Sequence, residues 1–150
     1  MEIKATLQKP YTEDERMDFV VQYNHGMGYT IEETESELQA FGYTKEELNL
    51  QEAERIAHLS LTRGDVFRGL LLAKGISRVQ LREMIESNTE LAELEKEMAL
   101  IDFDEALNFY RGNTLIDTMG KALGINSVQL DYFFETNNYK CLLNEVGENV

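Results

Sequence analysis

The stretch Gly-Ile-Ser-Arg-Val-Gln-Leu at residues 75–81 recurs as Gly-Ile-Asn-Ser-Val-Gln-Leu at residues 124–130. An Arg-Gly pair precedes each copy, at residues 63–64 and 111–112. In both copies a glycine is followed by one aliphatic residue and then by a residue that can cap a helix, the order expected where one helix ends and the next begins. The chain therefore contains a repeated helix–turn–helix unit.

The residue types within the repeat predict where each side chain lies. Glycine adopts the left-handed backbone conformation without the steric cost that a side chain imposes, so Gly75 and Gly124 should have positive φ. The aliphatic residue of the turn and the leucine of the second helix should be buried between the two helices. The four residues concerned are Ile76, Leu81, Ile125 and Leu130.

Helix starts outside the repeat are marked by capping boxes, in which a Thr precedes a Glu by three residues. Thr12, Thr30 and Thr44 each begin such a box, and glycines such as Gly28 and Gly42 mark helix ends. Together these signals predict helices over residues 12–25, 30–40, 45–61, 63–74, 78–87, 89–99, 103–110, 114–122, 127–136 and 138–145. We therefore predict an all-α fold, a compact bundle of short helices that includes the two helix–turn–helix units.

The first residues of the chain follow a different pattern. Ile3, Ala5 and Leu7 alternate with polar residues, which is typical of a strand. Because no second strand is predicted, we expect an extended arm that lies on the helices or pairs with another subunit. The predicted domains are an N-terminal arm over residues 1–10 and a single helical domain over residues 11–150, with a division into lobes 11–88 and 102–150 left open.

Composition predicts a soluble intracellular protein. The chain has 150 residues, a mean hydropathy of -0.38 and a single cysteine, Cys141, which cannot form a disulfide within the chain. No apolar run reaches the ~20 residues that span a membrane, and the first residues lack the basic and apolar regions of a signal peptide. We therefore expect a cytoplasmic protein that does not bind a membrane.

The net charge of -14 is unevenly distributed along the chain. Residues 55–82, called the basic segment below, contain six basic residues and one acidic residue, whereas the sequence on either side is strongly acidic. Five of the basic side chains fall within the first helix–turn–helix unit and form a candidate interaction face. They are Arg63, Arg68, Lys74, Arg78 and Arg82.

The basic segment raises the question of whether the repeat reads DNA. In the first copy, Arg78, Gln80 and Arg82 lie at the start of the second helix, where a recognition helix contacts bases. Glu83 and Glu86 follow on the same helix, and carboxylates repel the phosphates on which affinity for DNA mainly depends. We therefore expect a structural use of the repeat and no binding to duplex DNA at physiological salt.

The acidic residues of the second half are explained by helix formation. Glutamates between residues 90 and 97 alternate with Leu91, Leu94 and Met98, which predicts an amphipathic helix with a solvated acidic face. A further acidic group, formed by Asp102, Asp104 and Glu105, is interpreted as the first turn of the next helix, where the helix dipole favours negative charge.

No motif in the sequence indicates catalysis, a metal site or a cofactor. His25 and His58 lie far apart and have no acidic or cysteine neighbour at the spacing of metal ligands. The acidic residues do not follow the spacing of a calcium-binding loop. We therefore predict that the protein is not an enzyme and that it needs no cofactor.

Three stretches of the chain resemble a known group of proteins. They are Gly42-Tyr43-Thr44-x-Glu46-Glu47, the run Leu-Ser-Leu-Thr-Arg-Gly-Asp-Val-Phe at residues 59–67, and Arg111-Gly112-Asn113 with Ile116-Asp117. From about Tyr11 onward, the chain resembles small proteins encoded in phages and prophages of Gram-positive bacteria, which often lie among structural or tail-region genes. The resemblance implies a viral or prophage origin and supplies no catalytic residue.

These observations favour a protein–protein interaction protein, structural or assembly-related, that binds a protein partner or copies of itself in the cytoplasm of the host cell; virion association is left open. A second hypothesis is a DNA-associated regulator that uses residues 63–82. A third is an acidic inhibitor that occupies the basic nucleic-acid channel of a host defence protein by mimicking the charge of its ligand.

Overall fold

Strands occur in both parts of the chain, so the all-α prediction is wrong. The structure is a computed structural model that describes residues 1–143, and it contains seven α-helices and five strands within them. The chain forms two compact units, one of residues 1–53 and one that begins at Glu54. This division differs from the predicted ends of the arm, at residue 10, and of the first lobe, at residue 88.

The first unit is a three-stranded antiparallel sheet with one helix against it. Its elements are β1 (Glu2–Gln8), α1 (Glu13–Gln22), a 3-10 helix (His25–Met27), β2 (Thr30–Glu33), β3 (Glu37–Gly42) and the first part of α2 (Lys45–Ala57). The sheet order is β1-β3-β2, with β3 in the centre. A small core forms where Phe19 of α1 meets Leu38 and Ala40 of β3.

The predicted helix over residues 30–40 is a β-hairpin of β2 and β3. Its turn is closed by Thr34, whose hydroxyl accepts hydrogen bonds from the backbone N–H groups of Ser36 and Glu37 at 3.3 and 3.1 Å. Thr30 starts a strand, so the capping box assigned to it is wrong. The other two boxes, at Thr12 and Thr44, are confirmed.

The hairpin forms because the residues on one side of β3 are apolar or have small side chains. Leu38, Ala40 and Gly42 are buried, while the residues between them are only half-buried. Gly42 ends this strand, which corrects its assignment as a helix end. A Cβ atom at Gly42 would lie 3.1 Å from a ring carbon of Tyr29 and 2.9 Å from the Lys4 side chain, so glycine is required by close packing.

The N-terminal segment is extended, as predicted, but its partner lies within the chain. β1 pairs antiparallel with β3, so that Leu7 is opposite Leu38. Ala5 and Leu7 are half-buried against the core of the first unit, while Ile3 remains exposed. The expectation of an arm without a strand partner in its own chain is therefore wrong.

The second unit contains both copies of the repeat. Its elements are the end of α2, then β4 (Ser60–Thr62), α3 (Arg63–Lys74), α4 (Arg78–Glu86), α5 (Glu93–Glu105), β5 (Asn108–Tyr110), α6 (Thr114–Ala122), α7 (Ser127–Thr136) and a 3-10 helix (Tyr139–Leu142). Helix α2 ends at Ala57, not residue 61, because the chain turns there into β4.

Two predicted helices, over residues 89–99 and 103–110, are replaced by the single helix α5 followed by β5. Asp102, Asp104 and Glu105 therefore lie in the last turn of a helix, which corrects their assignment to a first turn. Of the last predicted helix, over residues 138–145, the described part forms only the 3-10 helix, and residues 144–145 lie outside the described residues.

The helix–turn–helix repeat is confirmed in its details. Gly75 and Gly124 end their helices with φ of 66° and 70°. The next helices are capped by Ser77 and Asn126, each in a capping box with a Gln three residues later. Of the four residues expected in the core, three are buried and one is half-buried: Leu81, Ile125 and Leu130, and Ile76, respectively.

The strands of the two copies pair symmetrically in the β4–β5 ladder. Leu61 and Phe109, which occupy the same place in the repeat, are directly opposite each other. The flanking hydrogen bonds match: the Arg63 N–H donates to the Leu107 carbonyl at 2.9 Å, and the Arg111 N–H donates to the Leu59 carbonyl at 2.8 Å. Each copy is therefore a strand–helix–turn–helix unit, and the two pair through their strands.

Helix α5 joins the two copies within one core. The ring of Phe67 in α3 lies 4.9 Å from that of Phe103 in α5 and 5.8 Å from that of Phe109 in β5. Both Phe103 and Phe109 are fully buried. Because aromatic pairs at these distances add to the free energy of burial, this cluster fixes the inner face of α5.

Candidate functional site

Most of the basic side chains in the basic segment form ion pairs with carboxylates. Arg68 pairs with Asp65 at 2.8 Å within α3. Arg82 pairs with Glu86 on the same helix and with Asp104 of α5, at 3.1 Å in the second case. Lys74 is exposed at the end of α3 and forms no ion pair with any residue among 1–143. The cationic charge of this face is thus largely balanced by neighbouring carboxylates.

Asp104 brings three of the predicted interaction residues together. Its carboxylate binds Arg82 and lies 3.8 Å from Arg78, and its main-chain carbonyl accepts a hydrogen bond from the Arg63 guanidinium. Arg78 also lies over the aromatic ring of Phe67, with its guanidinium carbon 5.7 Å from the ring centre. These arginines hold α5 against the first copy of the repeat, which reduces their capacity to bind phosphate.

Arg111 is a buried charge that the sequence analysis did not single out. The side chain is only 7 % exposed. The guanidinium donates to Asp131 at 2.6 Å, to Asp117 at 2.8 Å and to the hydroxyl of Ser127 at 2.8 Å. This network joins β5, α6 and α7 and satisfies the buried charge. The repeat contained a signal for it, since Arg63 and Arg111 occupy equivalent positions.

A cluster of interacting titratable groups in the first unit surrounds the Glu33 carboxylate. The Tyr11 hydroxyl donates to the Glu33 carboxylate at 2.6 Å, and the Lys9 ammonium lies 3.0 Å from the same carboxylate. These hydrogen bonds lower the pKa of Glu33 and raise the pKa values of Tyr11 and Lys9. Each shift moves a pKa further from neutrality, so none of the three groups is tuned for proton transfer near pH 7.

The outer face of α5 presents an apolar stripe to solvent. Leu94, Met98 and Ile101 are 73, 58 and 59 % exposed. Their spacing of four and three residues places them on one side of the helix. We call these three residues the α5 stripe. A helix is present here, but the prediction that it is amphipathic is wrong. Leu94 and Met98 do not face the core, which is filled instead by Leu100 and Phe103 on another face of α5.

A cleft of about 320 Å³ lies beside the stripe, between α5 and α6. Its apolar wall includes Leu91, Met98 and Leu115, and its polar wall includes Glu95 and Asp102. One Asp102 oxygen accepts a hydrogen bond from the Asn113 amide at 3.0 Å, and one Glu95 oxygen accepts one from the Ala92 N–H at 3.1 Å. Met98 belongs to both the stripe and the cleft, so the two form one continuous surface.

Residues 1–143 contain no group of three or more His, Cys, Asp and Glu side chains that could hold a metal ion. His58 is engaged with the backbone carbonyl of Glu54, at 2.7 Å from its Nδ1. Within the same part of the chain, none of the helices combines the length and the apolar character needed to cross a bilayer.

Sequence reasoning missed the α5 stripe because it assumed that apolar residues at helical spacing face the core. The competing signal was present further along the helix, since Ala99, Leu100 and Phe103 form a second apolar face. A helix with apolar residues on two faces and carboxylates between them cannot bury both faces within one small unit.

Comparisons of the chain with known protein families, with curated proteins and with solved structures find no match.

Proposed function

We propose that the protein is a non-enzymatic interaction protein that binds a protein partner through the outer face of α5. The observation that carries this proposal is the α5 stripe, three large apolar side chains that are all more than half exposed on one side of one helix. Burying such side chains contributes about 1.5–3 kcal/mol each. Exposed apolar patches with a polar rim are typical of protein interaction sites.

The resemblance to proteins of phages and prophages supports an accessory or assembly role in a viral context. Its motifs are helix caps and turns, which the structure uses for folding: Thr44 and Glu47 form a capping box, and Asn113 caps α6. The resemblance therefore supports the origin in this proposal, while the α5 stripe supports the activity.

The arrangement of the basic segment counts against the DNA-associated regulator. Arg78 and Arg82, the residues best placed to contact DNA, face Asp104. A phosphate would have to compete with carboxylates that are already in place, and each lost contact reduces both the affinity and its dependence on salt.

The proposal is tested by affinity capture from host-cell lysate with matched variants. In one variant, Leu94, Met98 and Ile101 are replaced by serine. In the control, the exposed Leu71 and Leu72 of α3 are replaced by serine. We expect wild type and control to retain the same partner and the α5 variant to lose it, with all three proteins showing equal helix content by circular dichroism. Equal recovery by both variants, or loss only in the control, would contradict the proposal.

A further inference from the structure

We infer that the α5 face takes a basic amphipathic helix of the partner, and that one lysine or arginine of that helix enters the cleft between α5 and α6. The inference rests on the proposed function and adds the chemistry of the partner. It joins two observations, an apolar stripe and an adjoining cleft with two carboxylates.

The cleft matches a cationic side chain with a hydrocarbon stem. Glu95 and Asp102 lie on its polar wall, and neither forms an ion pair with any Lys, Arg or His among residues 1–143. Each carboxylate uses only one oxygen in the hydrogen bonds described above. The apolar wall formed by Leu91 and Leu115 would contact the methylene groups of the entering side chain. Lysine and arginine have both features, a long apolar stem and a charged end.

The charge of α5 favours the same kind of partner. The helix contains six carboxylates and one basic residue, Lys96. Lys96 pairs with Glu93 at 3.2 Å, and only 15 % of its side chain is exposed, so it offers little positive charge at the surface. Helical spacing places Glu95 on one flank of the stripe and Glu97 on the other. A partner that lies along the stripe therefore meets negative charge on both sides.

The stripe favours a helix as the form of the partner. Apolar anchors spaced by three and four residues lie along one helix face, and an amphipathic helix presents the same repeat of apolar side chains in return. Basic residues that flank its apolar face would reach Glu95 on one side and Glu97 on the other.

Two other occupants fit the surface less well. A second copy of this chain would bring one set of α5 carboxylates against another, and like charges held together at an interface oppose association. The charged wall of a nucleic-acid channel would meet the carboxylates but would leave the three apolar side chains of the stripe in water.

The test uses a synthetic, fluorescently labelled peptide of leucine and lysine, about five helical turns long, with leucine on one helical face. Matched peptides replace leucine by serine or lysine by glutamate. Fluorescence anisotropy at about 0.15 M salt limits long-range attraction between exposed charges. We expect the 150-residue protein to bind the leucine–lysine peptide and neither matched peptide. Equal binding of the serine–lysine peptide would contradict the inference, because charge alone would then suffice.

The cleft is tested with two variants that change the net charge equally. Glu95→Gln removes a carboxylate of the cleft but keeps the capping interaction with Ala92, because Gln also serves in a capping box. Glu32→Gln removes an exposed carboxylate of β2, which belongs neither to α5 nor to the lining of the cleft. For Glu95→Gln we expect Kd to rise by about three- to fivefold, the size of one partly shielded charge pair. Glu32→Gln should change Kd less than about twofold. Equal effects would overturn the assignment of the cleft.

Failure of this inference can be separated from failure of the proposed function. If affinity capture depends on the α5 stripe but the leucine–lysine peptide does not bind, the proposed function stands and the partner has a different chemistry. Analytical ultracentrifugation of the unlabelled protein tests whether a second copy of this chain occupies the α5 face. Self-association that is abolished by the triple serine variant would assign the face to a second copy of this chain and overturn the inference.

Discussion

The two copies of the repeat have the same turn but use their arginines differently. In the second copy, residues 108–136, Arg111 bonds to Asp131 of the same copy. In the first copy, residues 60–86, the position equivalent to Asp131 is Arg82, so Arg63 and Arg82 cannot pair with each other. Both turn instead to Asp104 of α5. The charge at this position is therefore reversed between the copies. The arginine network of the second copy stays within that copy, whereas the arginines of the first copy bind the neighbouring helix α5.

The cores of the two copies should be equally sensitive to substitution. Leu81 and Leu130 occupy the same place in the repeat and are both buried. Leu81→Ala and Leu130→Ala should each lower the free energy of unfolding by about 2–5 kcal/mol, measured by urea denaturation. Leu72→Ala, at an exposed site on α3, is the control and should change it by less than about 0.5 kcal/mol. A small effect for only one of the two leucines would show that the copies are not equivalent in their cores.

The equivalent arginines, by contrast, should differ in their effect on stability. Arg111→Met removes a buried guanidinium that donates to Asp131, Asp117 and Ser127, and should lower the free energy of unfolding by about 1.5–3 kcal/mol. Arg63→Met removes a partly buried side chain that donates to one main-chain carbonyl, so a smaller loss of about 1 kcal/mol is expected. Equal losses in the free energy of unfolding, measured by urea denaturation, would contradict this difference between the two arginines.

The turn glycines should again behave alike. Gly75 and Gly124 have positive φ, and a Cβ atom at either site would meet no neighbouring atom within 4 Å. The cost of Gly→Ala is therefore that of the backbone conformation alone, about 1–2 kcal/mol at each site. Gly64→Ala, near the start of α3, is the matched control and should leave stability unchanged or slightly raised. Thermal unfolding of the three variants provides the measurement.

The smallest expected effect is on nucleic acid. We predict no binding of mixed-sequence duplex DNA at physiological salt, measured by fluorescence anisotropy, because Arg78 and Arg82 face Asp104. Micromolar binding that weakens steeply with salt, and that is lost when both arginines are replaced by alanine, would favour the DNA-associated regulator.

Local signals made the helical part of the fold predictable. The turns at Gly75 and Gly124, and the caps at Thr12 and Thr44, depend on residues within four positions of one another, so the sequence contains all the information that they need. The wrong assignment over residues 30–40 shows the limit of such signals. The glutamates of this segment favour a helix. Strand β3, however, pairs with both β1 and β2, and this pairing outweighs the local helix propensity.

The candidate site was less predictable than the fold. The basic segment was visible in the sequence, but its engagement by Asp104 depends on the single helix α5, which was predicted as two helices. The α5 stripe could not be recognised because spacing alone does not show which of two apolar faces a helix buries. That choice depends on Phe103, which lies inside the core with Phe67 and Phe109.

The β4–β5 ladder has a consequence for the order of folding. Each helical turn joins residues close in sequence, whereas the ladder joins Leu61 to Phe109, 48 positions later. Closing a long loop costs conformational entropy that a local turn does not, so non-local strand pairs form slowly. In pulse-labelling hydrogen exchange, we therefore expect the Gly75 amide to gain protection before the amides of Arg63 and Arg111, which bond next to the ladder. Simultaneous protection would contradict this order. If the order holds, the strands through which the two copies pair form after the helical turn that begins the repeat.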